Sequence, residues 1–269
     1  MPNVRLAGTA LCLLLLCAGL GADAEAGGKI LDGRAAPDIS FSDGLNGGAG
    51  ARLSAYKGRP VLVMFWLRDC PHCRRELPRI QQLHDQWGKA GLQVLTVVHK
   101  FGSSDVAPVM RQLGYDFPVG SDTAGTAAKK YGVTSRPATY LVGIDGRVKS
   151  SNGAPGDVIA KELGRYRLAK LGKVPKDMQE LRNAVWQGRM GSALKQAEAA
   201  AAIDGATAET KAIAQRTQEI ARETLTARAH WASKLARSGR RVEAQNEIAA
   251  IQRAFKGTSL ESEAARLGR

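Results

Sequence analysis

The sequence predicts an α/β sheet layered with helices, followed by a smaller all-α domain, and three observations carry that expectation. Pro60-Val61-Leu62-Val63-Met64-Phe65-Trp66 and Leu92-Gln93-Val94-Leu95-Thr96-Val97-Val98 are apolar runs of strand length, suited to strands buried on both faces. Between them Leu77, Ile80, Leu83 and Trp87 recur at helical spacing. From Lys176 onward strand signals vanish, alanine becomes abundant, and helical spacings remain.

In chain order, residues 25–50 are rich in Gly, Ala and Asp and predict a loose start, flexible over 25–35, while Ile39 and Phe41 hint at one edge strand. Pro60 stands at a strand entry, where its missing N–H removes no ladder bond. The helix after Cys73 ends at Gly88 and Gly91. Residues 104–113 read as a second helix, with Pro108 tolerable near the first turn and Gly114 closing it. A short strand over 117–119 and a short helix over 124–131 follow. Residues 138–142 and 147–150 flank Asp145-Gly146, a hairpin turn, and a helix over 157–171 closes the domain. The order β-α-β-α-β-α-β-β-α specifies a sheet covered by helices. Residues 172–176 form a linker and 177–269 the helical domain, with apolar stripes such as Ile220, Thr224, Ala227, Trp231 and Leu235. Gly188-Arg189 followed by Ala193 recurs as Gly239-Arg240 followed by Ala244, a weak echo that resembles tetratricopeptide helix pairs. An ordinary helical bundle is the alternative.

The 269 residues carry 39 Lys and Arg against 25 Asp and Glu, a formal charge of +14. Such an excess raises the question of a nucleic-acid or acidic partner. It divides into +8 over residues 25–170 (21 basic, 13 acidic) and +6 over 171–269 (17 basic, 11 acidic), with no long basic run. Aromatic stacking platforms are missing from the helical half, which argues against nucleic acid. Residues 1–24 read as a secretory signal peptide: Arg5, an apolar stretch from Leu11 to Cys17, and Ala22-Asp23-Ala24 at the cleavage site. The stretch is short for a membrane span, and neither Cys12 nor Cys17 follows the small residue that lipid attachment needs. Cleavage after about Ala24 implies an exported, periplasmic protein that keeps two of its four cysteines, Cys70 and Cys73.

Two cysteines three positions apart close too little chain to staple a fold. Such a pair is redox-active or half of a metal site. Zinc would need further ligands, and His72, His84, His99 and His230 offer no second pair at metal spacing, so no metal is expected. The placement of Cys70-Pro71-His72-Cys73, directly between a buried strand and an amphipathic helix, is the informative feature. It puts Cys70 at a helix N-terminus, where free N–H groups and the helix dipole stabilise a thiolate. Pro71 in the first turn loses no helical hydrogen bond. Cys73, one turn further in, is shielded. The expected roles are Cys70 as nucleophile and Cys73 as resolving thiol, with no cofactor besides their redox-active disulfide.

Further pieces stand in a telling order. They are Ala36-Pro37-Asp38, then Leu53-Ser54-Ala55-Tyr56-Lys57-Gly58-Arg59-Pro60, then Phe65-Trp66, with Trp66 four positions before Cys70. Glu76-Leu77-Pro78, Tyr131-Gly132-Val133, Arg136-Pro137-Ala138-Thr139-Tyr140-Leu141 and Asp145-Gly146 follow. On these residues the chain resembles the TlpA/ResA-like exported thiol–disulfide oxidoreductases over residues 36–171. The resemblance implies an α/β thioredoxin-like fold with a mixed central sheet, in which 104–119 supplies an inserted helix and strand. It implies that Pro137 is the cis-proline beside the dithiol, with Arg136 next to it. It also implies that Trp66 packs near the site and that Glu76 transfers protons. Plain core for Trp66 and a solvated acid for Glu76 are the alternatives.

Some residues depart from the pattern. Asp69 stands where the group often has an aromatic residue, and its carboxylate opposes the Cys70 thiolate, against Arg68, Arg74, Arg75, Arg136 and His72. Met64 replaces the buried aspartate of thioredoxin, removing that proton relay. The Pro71-His72 pair resembles DsbA-type oxidases, whereas the rest of the match resembles reductants; reductase is the direction adopted here. Thiol peroxidases share the Ala-Pro-Asp opening but need Thr or Ser where Leu67 stands. A non-catalytic module handling copper through the dithiol lacks a Met-rich tract. Expected partners are protein thiol and disulfide substrates, a membrane-bound or soluble electron-exchange partner, and a protein bound by the helical domain. The arginines near Cys70 favour acidic or anionic ones.

Overall fold

In the computed structural model, which describes residues 28–268, six strands form one sheet. They are β1 (Gly44–Leu45), β2 (Val61–Trp66), β3 (Gln93–His99), β4 (Val119–Asp122), β5 (Ala138–Val142) and β6 (Val148–Ser151), in the order β1-β4-β3-β2-β5-β6. The signal peptide expected over residues 1–24 lies outside the described residues. Helices α1 (Pro71–Trp87) and α2 (Ser103–Leu113) carry the chain back between strands, so β2, β3 and β4 run parallel. β5 and β6 pair antiparallel, joined by the turn at Asp145-Gly146, where Gly146 takes φ +73°.

Every residue of β2 is buried because the strand feeds two cores. Val61, Val63 and Phe65 pack with Leu95, Val97 and Tyr140 on one face, and Leu62, Met64 and Trp66 pack with Leu77, Ile80 and Val98 on the other. That two-sided burial is why the sequence shows continuous apolar runs rather than alternation. Leu31, Ile39, Phe41 and helix α3 (Thr126–Lys130) close the first core. Helices α1, α2 and α4 (Gly156–Leu171) close the second. The result is the thioredoxin-like α/β fold that the resemblance implies, with α2 and β4 added beside β3.

Three local expectations are corrected. Ile39 and Phe41 are buried core rather than an edge strand, and Ser40 makes an isolated bridge to Arg52. The edge is instead β1, where a Cβ at Gly44 would stand 2.2 Å from the Val119 carbonyl oxygen, so only glycine lets the backbones approach. Phe117 is core as well, and the strand expected to begin there begins at Val119. Pro108 sits at the sixth residue of α2, beyond the first turn.

The helical domain contains α5 (Gln179–Trp186), α6 (Met190–Ala201), α7 (Ala208–Arg237), α8 (Arg241–Phe255) and α9 (Glu261–Ala265). The weak sequence echo has a geometric counterpart. Gly188 and Gly239 both take left-handed backbone, φ +73° and +81°. Arg189 N–H donates to the Ala184 carbonyl and Arg240 N–H to that of Leu235, at 2.9 and 3.0 Å. Ala193 and Ala244 are both buried one turn into the next helix. The two turns are the same six-to-one C-terminal cap, built twice.

Helix α4 belongs to both domains: Leu163 lies in a core of the sheet and Leu171 in the helical core with Leu181, Leu194 and Phe255. Buried Arg167 donates to the carbonyls of Val185 and Trp186, at 2.9 and 3.0 Å, filling acceptors at the end of α5. Burial pushes its guanidinium down to about 10. A second seam joins α7 to α1. Lys234 contacts Asp85 at 3.1 Å and Asp116 at 2.8 Å, and Gln81 donates to both carboxylates. The helical domain is therefore docked on the helix that carries the dithiol.

Candidate active site

Trp66 ends β2 with no exposed surface, and the chain leaves the sheet through Leu67, Arg68 and Asp69. Cys70 then caps α1 with extended backbone, φ −91° and ψ 113°, and its Sγ accepts the Cys73 N–H at 3.2 Å. Pro71 is the first helical residue, where its missing N–H is harmless. Cys70 and Cys73 are joined as a disulfide with Cα atoms 5.2 Å apart. Cys70 is half-buried and Cys73 is 0% exposed, so an external sulfur reaches Cys70 and not Cys73.

The loop before β5 lies against Cys70: its Sγ stands 3.6 Å from the Arg136 carbonyl oxygen, and the Arg136–Pro137 bond is cis. Trp66 shares a core with Cys73, and its indole N–H is buried without a hydrogen-bond partner. Glu76, half-buried, accepts from Arg79 at 2.8 Å, and Arg79 also donates to the Ala154 carbonyl at 2.6 Å. Neither sulfur is among the hydrogen-bond partners of Glu76. His72 is exposed with Nδ1 2.8 Å from an Arg75 guanidinium N–H. A guanidinium offers only donors, so Nδ1 is the acceptor there.

Asp69 is met by one of the arginines that the sequence sets against it. Arg68 grips it in a two-bond fork, Nε to Oδ1 at 2.9 Å and Nη2 to Oδ2 at 2.8 Å. That hydrogen bonding holds the Asp69 carboxyl below its ordinary range. The same guanidinium lies 4.4 Å from the centre of the Phe101 ring. The negative charge before Cys70 is thus compensated within its own loop.

One neighbouring cluster escaped the sequence reading. His99 ends β3, is buried, and has Nδ1 3.6 Å from Asp122 at the end of β4. Asp122 in turn accepts the N–H groups of Ala127 and Ala128, at 3.1 and 2.9 Å, at the start of α3. Gly125, at φ +72°, makes room: a Cβ there would stand 2.7 Å from His99 Cε1. Burial first, and then the Arg136 charge, hold His99 below the usual histidine range. A lone histidine at a strand end carries no spacing signal, so nothing in the sequence set it apart from His84 or His230.

A cavity of about 330 Å³ lies where α1, α4 and α7 meet, lined by Trp87, Leu163, Arg167, Arg228 and Trp231. Among the described residues no group of three or more His, Cys, Asp and Glu side chains is arranged to hold a metal. No described helix is long and apolar enough to cross a membrane.

Comparison with known proteins returns the same chemistry. Residues 33–151 match the AhpC/TSA family. The thiol-disulfide oxidoreductase ResA of Geobacillus thermodenitrificans is 33% identical over 150 residues, which span 54% of this chain and 85% of that protein. Its namesake from Bacillus subtilis is 31% identical over 147 residues, spanning 52% and 79%. A crystal structure of a putative thiol:disulfide interchange protein DsbE from Chlorobium tepidum aligns with 27% identity and a TM-score of 0.42, covering 54% of this chain and 99% of that one. Leu67 offers no hydroxyl where a thiol peroxidase would need one.

Proposed function

The chain belongs to the ResA family of thiol–disulfide oxidoreductases, and from that premise we propose that it reduces disulfides of exported proteins in the periplasm. The observation that carries the proposal is the asymmetry of the dithiol: an accessible Cys70 at the start of α1 and a Cys73 with no exposed surface one turn inside it.

The Cys70 thiolate, stabilised by the helix N-terminus and the Cys73 N–H, attacks one sulfur of a substrate disulfide. A bond forms between Cys70 and that sulfur, and the other substrate sulfur leaves as a thiolate that takes a proton. Cys73 then loses its proton and attacks Cys70 Sγ. The second substrate sulfur departs, and two electrons have passed from the dithiol to the substrate. Glu76 is the proposed acceptor of the Cys73 proton, Pro137 and the Arg136 carbonyl border the substrate chain, and Trp66 fixes the floor of the site. The balance closes with thiols alone, so no metal or further cofactor is assigned. A partner dithiol, membrane-bound or soluble, returns the electrons. The reducing direction is supported by the resemblance of residues 36–171 to the reductants of the TlpA/ResA-like group. The Pro71-His72 pair and the surrounding arginines favour the second reading, a thiol oxidase.

Reduction of a protein disulfide by the full chain, with dithiothreitol as the electron source, tests the proposal. Wild type turns over, Cys70→Ser is inactive, and Cys73→Ser stops at a trapped mixed disulfide. Turnover that survives Cys70→Ser would contradict it. Export is checked by sequencing the N-terminus of the mature protein, expected near Glu25.

A further inference from the structure

We propose that the enzyme selects disulfides flanked by carboxylates, and that the Arg136 guanidinium binds the carboxylate next to the reacting sulfur. The inference rests on the exchange reaction set out above. Cys70 Sγ lies 3.6 Å from the Arg136 backbone oxygen. A substrate sulfur bonded to Cys70 therefore sits beside residue 136, and the residues flanking that sulfur fall within the span of an arginine side chain.

That side chain lacks a partner of its own. Among the described residues it enters no ion pair, and its Nε is buried without a hydrogen-bond acceptor. A buried donor left this way is destabilising until something supplies the acceptor. Asp122 acts on Arg136 electrostatically, but its carboxylate is already committed to the N–H groups of Ala127 and Ala128. The other carboxylate at the rim, Asp69, is locked in its fork with Arg68. Neither carboxylate makes an ion pair with the Arg136 guanidinium, and Nε stays without an acceptor.

The rim also presents positive charge, with exposed Asp105 acting on Arg68 from the start of α2. Arg74 and Arg75 are exposed on the first turns of α1. Lys100 is exposed just past β3, in left-handed backbone at φ +65°, with its N–H donating to the Asp122 carbonyl at 3.2 Å. Left-handed backbone is uncommon for a lysine, and here it turns the chain just past His99. Exposed cations of one sign steer an anionic partner toward the cleft, and a planar guanidinium takes a carboxylate through two parallel hydrogen bonds. Steering and recognition thus favour the same substrate chemistry.

The test uses the full reduced chain and synthetic peptides that each close one disulfide and differ only in the residues next to the cysteines: Glu, Gln or Lys. Wild type is expected to reduce the Glu peptide at least about tenfold faster than the Gln peptide, measured as kcat/KM. Arg136→Gln should bring that ratio below about threefold, and Arg136→Lys should keep part of it. Arg136→Glu should reverse the order and make the Lys peptide fastest, a gain that a misfolded protein cannot show. Equal rates for the three peptides in wild type would overturn the inference while leaving the exchange reaction standing. Undiminished selectivity in Arg136→Gln would overturn the role given to that residue. Failure of wild type to reduce any of the peptides would overturn the exchange reaction and the inference together.

Discussion

Cys70 and Cys73 are separated by a single helical turn, and that turn leaves one sulfur half-buried at the helix start and the other with no exposed surface, the asymmetry on which the proposed attacking and resolving roles rest. The difference is local: one sulfur caps the helix and the other points into a core shared with Trp66, Leu77 and Ile80. Glu76 is where this scale makes its sharpest prediction. If it receives the Cys73 proton, Glu76→Gln slows release of substrate from the Cys70 mixed disulfide by about 10²-fold, read by rapid quenching, and changes the pH profile of that step. If Glu76 serves only its ion pair with Arg79, the release rate stays and thermal stability alone falls. The dithiol was legible in the sequence because its meaning lies in its position between two elements. The Arg68–Asp69 fork was not, because the residues declare opposite charges without declaring that the loop folds them onto each other. His99 and Asp122 were illegible for a similar reason: 23 positions separate them, and only the parallel pairing of β3 with β4 sets them side by side.

Elements were read more fully than side chains. The buried strands announced themselves as apolar runs, and the repeated Gly-Arg turn in the helical domain returned as the same cap at Gly188 and Gly239. What failed were short or two-sided features. Ile39, Phe41 and Phe117 are apolar because they fill the core from loops, and a strand signal cannot separate the two uses. The seam between α1 and α7 makes a prediction at this scale. Burial is the main cause holding His84 and His230 below the usual histidine range, with Lys234 adding to it and Asp85 and Asp116 opposing. A base whose folded pKa is depressed binds its proton more readily in the unfolded chain, so stability present above about pH 6.5 is lost as pH falls through that value. The melting temperature should therefore drop between about pH 7.5 and pH 5.5, and His84→Gln should flatten that slope. A melting temperature that rises on acidification would contradict the burial account.

At the scale of the whole molecule, the helical domain is fastened to the redox domain at two places, the shared helix α4 and the Lys234 seam. Lys234→Met removes the lysine cation from Asp85, whose side chain is 9% exposed and keeps the Gln81 amide at 2.9 Å and His230 Nε2 at 4.0 Å. The expected cost is about 1–3 kcal/mol in urea denaturation, because a buried carboxylate loses its charged partner; no loss would mean that the seam is incidental. The C-terminal helical region was legible from its alanine-rich helical spacing, while its docking onto α1 was not, since charge pairs between distant helices leave no periodic trace. The +14 charge resolves in the same way, into a diffuse surface property with a local concentration around Cys70. The central claim, a Cys70–Cys73 dithiol that donates electrons, is tested most directly by its reduction potential, measured by equilibrating the full chain in dithiothreitol redox buffers. The account predicts a value near that of thioredoxin, about −270 mV, and a value near about −120 mV, that of a strong thiol oxidant, would contradict it.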